Sequence, residues 1–174
     1  VNLALTAVGR DRPGIVAGLT GVLVESGGNV DDSQMSILHG QFAVVLLVSV
    51  PPECDVEAMA ASLEKKGEEL GLDSVNVCPV SDLERGSDPS HLLTVYGADR
   101  PGIVHDAAVV LADHGVNITD LRTKRTGPSE SAIYVLVMEL AVPDSVEDLE
   151  LELGRLGEGT GMEVSLSELE TDVI

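Results

Sequence analysis

The chain has 174 residues, a formal net charge of −20, one Phe, two Tyr and no Trp. That length suits two domains of roughly 80 residues, each near the lower end of independent stability, with aliphatic side chains supplying the core. Basic residues number 4 against 12 acidic in residues 1–82, and 6 against 18 in residues 83–174. Both halves therefore lack a cationic face that could neutralise phosphates, which argues against direct nucleic-acid binding.

In chain order, Val1, Leu3, Leu5 and Ala7 alternate with Asn2, Ala4 and Thr6, as in a half-buried strand. Gly9 to Arg12 reads as a loop. Pro13 suits the first turn of a helix, where its missing N–H is not needed. Asp11 or Arg12 then stands in the cap region, Asp being the better capping type. Ile15, Leu19, Val22 and Leu23 recur at helical spacing as far as Gly27-Gly28. Residues 29–38 read as a second strand, His39-Gly40 as a tight turn and residues 42–50 as a third strand. The run Phe42 to Val48 is apolar on both faces and belongs in the middle of a sheet. After Pro51-Pro52, a second helix is marked by Val56, Met59, Ala60, Leu63 and Leu70 and closes near Gly71. Val75 and Val77 alternate in a last strand ending at Pro79.

Residues 81–90, with Gly86 and Pro89, read as a linker between a first domain at 1–80 and a second at 91–174. The order then repeats as strand 91–97, helix 101–114, strands 117–126 and 131–142, helix 144–157 and strand 162–169. Gly127-Pro128-Ser129 lengthens the second hairpin, and Gly154, Gly157, Gly159 and Gly161 predict fraying of the last helix.

The repetition is one of sequence as well as pattern. Asp11-Arg12-Pro13-Gly14-Ile15-Val16 returns letter for letter as Asp99-Arg100-Pro101-Gly102-Ile103-Val104, 88 residues later, and Gly27, Asn29 and Asp32 map at the same spacing onto Gly115, Asn117 and Asp120. The chain is one module written twice. Each copy reads β-α-β-β-α-β, so the expected class is α+β: two ferredoxin-like domains with antiparallel four-stranded sheets and helices on one face. The open sheet edges want covering, which predicts edge-to-edge joining and self-association as a homodimer.

The repeated loop links a central strand to a helix N-terminus, where free N–H groups and the positive dipole end converge. Gly14 and Gly102 allow close approach to the backbone, and such a place suits a carboxylate. Asp11 and Asp99 could accept hydrogen bonds from an ammonium group. A carboxylate site beside an ammonium site describes a free amino acid. The competing reading is structural: Asp11 and Asp99 cap, Pro sets the turn and Gly packs helix on strand. Arg12 and Arg100 read either as solvated loop residues or as anion ligands.

A strand, Asp-Arg-Pro-Gly-Ile-Val, an amphipathic helix, Gly-x-Asn-Val or Gly-x-Asn-Ile and a hairpin together resemble the ACT domain, a small-molecule-sensing family that commonly binds amino acids. The resemblance covers essentially the whole chain. Two copies with almost nothing else resemble the free-standing tandem ACT proteins, in particular the glycine cleavage system transcriptional repressor group. In amino-acid-binding ACT domains the ligand lies between two domains, touching the strand-to-helix loop of one and the Asn that opens the second strand of the other. The resemblance therefore implies Asp11, Arg12, Pro13, Gly14 and Ile15 with Asn117, and Asp99, Arg100, Pro101, Gly102 and Ile103 with Asn29. The serine-sensing version looks like His-x-Asn-Arg-Pro-Gly. Here Gly9 or Gly97 replaces the His and Asp11 or Asp99 the Asn. Serine specificity is not carried over, and a compact ligand such as glycine stays in play.

Other chemistry is thin. His39, His91, His105 and His114 include no metal-ligand pair at helical spacing, and no G-x-S-x-G elbow or P-loop occurs. The expectation is therefore no enzyme, no metal and no cofactor. Cys54 and Cys78 read as two reduced thiols or, through a strand returning along a helix, as a disulfide. The one basic cluster, Arg122, Lys124 and Arg125, reads as a solvated strand edge or as a seat for an acidic ligand or partner. No run approaches 18 apolar residues and no cationic leader opens the chain, so a cytoplasmic protein without a membrane partner is expected. The expected function is non-catalytic regulation: a small amino acid, with glycine as a candidate, sensed at the seam between ACT domains and relayed to a protein partner, a transcription factor or a metabolic enzyme. The alternatives are a ligand-free dimerisation module and a separately encoded regulatory subunit of a metabolic enzyme.

Overall fold

The computed structural model describes residues 1–81, 86–128 and 132–169. It divides into two compact units, Val1–Glu84 and Arg85–Ile174. The first runs β1 (Asn2–Arg10), α1 (Ile15–Glu25), β2 (Asn29–Leu38), β3 (Gln41–Ser49), α2 (Val56–Leu70) and β4 (Leu72–Pro79). The second runs β5 (His91–Ala98), α3 (Ile103–Asp113), β6 (Asn117–Thr126), β7 (Ile133–Ala141), α4 (Leu149–Thr160) and β8 (Glu163–Glu168). The sheet orders are β2-β3-β1-β4 and β6-β7-β5-β8, with every pairing antiparallel. Both units are ferredoxin-like.

Alternation places the core. Leu3, Leu5 and Ala7 of β1 and Phe42, Val44, Leu46 and Val48 of β3 bury against Ile15, Leu19, Leu23, Met59 and Leu63 from the two helices. Leu93, Val95, Leu136, Met138 and Leu140 do the same against Ile103, Ala107, Leu111, Leu149 and Leu153. The run Phe42 to Val48 is central, as its two apolar faces predict. β2 and β6 are outer strands, each almost wholly exposed.

Several boundaries differ from the sequence reading, each for a local reason. β1 extends through Arg10, beyond the loop expected at Gly9, because Gly9 and Arg10 keep pairing with Phe42 and Gln41 of β3, while a register shift at Val8/Gly9 keeps Gly9 on β4. β4 likewise starts at Leu72, earlier than Val75. Pro13 lies outside the helix: Gly14, at φ 97°, stands between it and the first helical residue Ile15. The last helix begins at Leu149, not 144, after Asp148 at φ 61°. It does not fray at its glycines but continues to Thr160, capped by Gly161. Gly157 is buried, and a Cβ there would lie 2.8 Å from the Met162 carbonyl oxygen and 3.1 Å from Val164. Packing against β8 outweighs helix propensity. Gly67 in α2 is the counterpart, facing Val75.

The turn His39-Gly40 has both residues at positive φ, 50° and 80°, with Leu38 paired to Gln41 as in a two-residue hairpin. Residues 129–131 and 82–85, on which part of the longer second hairpin and of the linker fall, lie outside the described residues. Cys54 and Cys78 are free thiols. Among the described residues, no helix is long and apolar enough to cross a membrane.

Candidate functional site

Each repeated loop leaves a central strand and turns into a helix through a glycine. Gly14 and Gly102 are the N-caps of α1 and α3, at φ 97° and 93°, and neither helix has a side-chain cap. Asp11 and Asp99 therefore do not cap, contrary to the structural reading of these residues. The Gly14 and Gly102 carbonyls accept the first helical bonds, from Gly18 N–H at 2.8 Å and Asp106 N–H at 2.9 Å. The N–H groups of the residues between are left without helical acceptors. Backbone bonds hold each loop to its hairpin: Asp11 N–H donates to Gly40 at 2.9 Å, and Asp99 N–H to Ala132 at 3.1 Å.

Asp11, Arg12, Pro13 and Gly14 are exposed, whereas Ile15 and Ile103 bury their side chains in the two cores. What Ile15 and Ile103 can offer a ligand is backbone N–H. Gly9 has a packing reason to lack a side chain, because a Cβ would sit 2.7 Å from Leu72 Cα. At Gly97 the nearest atoms belong to Met162, at 3.2–3.3 Å.

The two loops differ in charge pairing. In the second, Asp99 Oδ2 meets Arg125 Nε at 2.7 Å, and Arg100 Nη2 meets Asp106 Oδ2 at 2.7 Å. Arg100 also donates to the Pro101 carbonyl at 3.2 Å, while its buried Nε has no partner among the described residues. Asp106 and Arg125 lie outside the six-residue repeat and were not singled out together by sequence. In the first loop the matched positions, 88 residues earlier, are Gly18 and Ile37. Asp11 and Arg12 accordingly have no ion pair among the described residues, and the Arg12 guanidinium rests on Gly71, the C-cap of α2. The cationic group there faces the negative end of a helix dipole.

Asn29 and Asn117 stand far from their own loops. Asn29 pairs with Ser49, which pairs with Asn2 at the start of β1, whereas the loop follows Arg10 at its end. Asn117 pairs with Ala141, near the start of β5. One domain cannot bring its loop and its Asn to a single small ligand. Asn29 Nδ2 donates to Asp31 Oδ1 at 2.8 Å, which also accepts from Ser49 Oγ at 3.1 Å. At the corresponding bulge in β6, Thr119 turns its hydroxyl to the Glu139 carbonyl at 3.1 Å, and the Asn117 side chain has no partner among the described residues.

Alternation splits the basic cluster. Arg122 and Lys124 pair with Val137 and Val135 on the helix-free face, while Arg125 pairs with Tyr134 on the helix side and reaches Asp99. No group of three or more His, Cys, Asp or Glu side chains suited to a metal ion forms among the described residues.

Comparison with known proteins places these loops in a wider context. ACT domain family models match residues 2–76 and 91–158. A UPF0237 protein of Methanopyrus kandleri is 44% identical over 73 residues, spanning 41% of this chain and 80% of that protein. The glycine cleavage system transcriptional repressor of Escherichia coli is 30% identical over 129 residues, 74% of this chain and 67% of the repressor. Among solved structures, a protein from Galdieria sulphuraria superposes with a TM-score of 0.80 at 27% identity, covering 97% of this chain and 98% of that one. A putative glycine cleavage system transcriptional repressor shares the fold, with a TM-score of 0.70 at 20% identity over 97% of this chain and 96% of its own.

Proposed function

Because this chain belongs to the ACT-domain family and carries two such domains in tandem, we propose that it is a non-catalytic regulator that holds a small free amino acid and relays its occupancy to a protein partner. The observation that carries this reading is the open first loop, in which Asp11 and Arg12 flank an uncapped helix N-terminus entered through Gly14. The uncapped N–H groups suit the carboxylate of a zwitterion, and Asp11 suits its ammonium. Because loop and Asn lie at opposite ends of their own sheet, a ligand touching both takes them from two domains, the first loop with Asn117 or the second with Asn29. Occupancy then favours the arrangement in which the two domains meet, which is how binding becomes a signal.

The small, acidic loop favours a compact amino acid, and glycine is the first choice, in keeping with the repressor among the relatives. The output we propose is control of glycine or one-carbon metabolism through a DNA-binding partner, since a chain of net charge −20 is a poor ligand for DNA itself. A homodimer in the cytoplasm fits this role. A second reading, a ligand-free association module, is favoured by the exposed Met35, Ile37 and Leu38 of β2.

A thermal-shift screen against the twenty amino acids, repeated on Asp11→Ala with Asp99→Ala, separates the two. At a hundredfold excess over its Kd a true ligand stabilises by about 2.7 kcal/mol. A shift with one small amino acid, lost in the variant, supports the sensor, and no shift with any of them supports the association module.

A further inference from the structure

The six-residue repeat is identical in both copies, yet the space in front of the two helix N-termini is not. Around the position of a Cβ at Gly14 there is nothing within 4 Å, whereas at Gly102 both Asp106 carboxylate oxygens lie 3.8 Å away and Arg100 Nη1 lies 3.9 Å away. The Asp106 carboxylate sits in the first turn of α3, beside Arg100, and the first turn of α1 holds no acidic residue. At the other end of the second loop the Arg125 guanidinium sits on Asp99 at 2.7 Å. Both charged side chains of the second loop, Arg100 and Asp99, are thus paired within their own domain, whereas Asp11 and Arg12 have no ion pair among the described residues.

We propose that Asp106 and Arg125, by pairing with Arg100 and Asp99, disfavour amino-acid binding at the second loop, and that the first loop is the stronger ligand site of the chain. The proposal rests on the amino-acid reading above and decides which loop serves it. Two half-exposed ion pairs are each worth a few-fold in competition, so together they weaken the second loop by about tenfold. Half-exposed pairs suffice because a ligand must displace both at once.

The test is calorimetric titration of the full chain with glycine, then with each of the other nineteen amino acids in turn. Expected are one dominant site per chain with the second at least about tenfold weaker, at least tenfold weaker binding at the dominant site in Asp11→Ala with Arg12→Ala, and two sites of similar affinity in Asp106→Gly with Arg125→Ile. Ile37→Arg, which supplies the missing cation beside Asp11, is expected to weaken the first site by about tenfold. If the unlocking pair fails to fold by circular dichroism, Asp106→Asn with Arg125→Gln removes the same charges with little change of shape. Two equal sites in the unmodified chain, or binding that survives loss of Asp11 and Arg12, overturn this proposal and leave the amino-acid reading standing. No heat with any of the twenty, for the unmodified chain and the unlocked variant alike, overturns both.

Discussion

The Arg12 guanidinium lies directly on Gly71, the left-handed residue that ends α2, at φ 65°. A Cβ at Gly71 would clash with it. The first repeated loop thus touches the end of the second helix of its domain, although 59 residues separate them in the chain. Gly71→Ala is expected to cost about 1–2 kcal/mol from its backbone alone and to push Arg12 out of place. The readout is a midpoint lowered by roughly 5–10 °C, together with weaker amino-acid binding.

Capping separates the aspartates. Asp55 Oδ1 accepts the Ala58 N–H at 3.0 Å and caps α2, whereas α1 and α3 have no side-chain cap. Asp55→Ala should cost about 1 kcal/mol in urea unfolding. Asp11→Ala should change stability by less than about 0.5 kcal/mol. A loss at Asp11 as large as that at Asp55 would restore a structural role to the loop aspartate.

Helix glycines next to edge strands should resist replacement. A Cβ at Gly67 would lie 2.5 Å from Val75 Cγ2, and one at Gly157 would lie 2.8 Å from a backbone oxygen. Gly→Ala in a helix ordinarily gains up to about 1 kcal/mol. Here overpacking of about 1–3 kcal/mol outweighs that gain. Each variant should show a lower urea midpoint with an unchanged m-value.

The two strand glycines before the loops should behave unequally. Gly9 faces backbone, Leu72 Cα at 2.7 Å, and Gly97 faces mainly the adaptable Met162 side chain at 3.2 Å. Gly9→Ala is expected to be the more destabilising by about 1 kcal/mol or more. Gly9→His should be worse still, so the histidine of the serine-sensing loop has no room in the first domain. Equal melting points for Gly9→Ala and Gly97→Ala would contradict this.

Much of the fold was legible because it is written in alternation and repetition. The two-faced apolar run of β3 marked its central place, and His39-Gly40 marked the hairpin. The start of α4 was not legible: Pro143, Asp144 and Ser145 resemble a helix entry, and nothing local announces that Asp148 takes a left-handed conformation. Pro13 misled in the same way, since only the positive φ of Gly14 moves the helix start past it. The loop residues themselves stood out through their exact repeat, but their ion pairing did not, because Asp106 and Arg125 reach them from the first turn of α3 and from β6, two strands away. The signal was there at the matched positions: Gly18 against Asp106, and Ile37 against Arg125.

The outer strands carry a last consequence, one of colloidal behaviour. β2 presents Met35, Ile37 and Leu38 at 48%, 52% and 66% exposure, and at the same register β6 presents Thr123, Arg125 and Thr126, with Arg122 and Lys124 beside them. An apolar strand with an open outer edge is adhesive, while a charged one is insulated by its own side chains. At rising concentration the open edge of β2 is therefore expected to be the place where a strand of another copy can add, while the charged edge of β6 resists such addition.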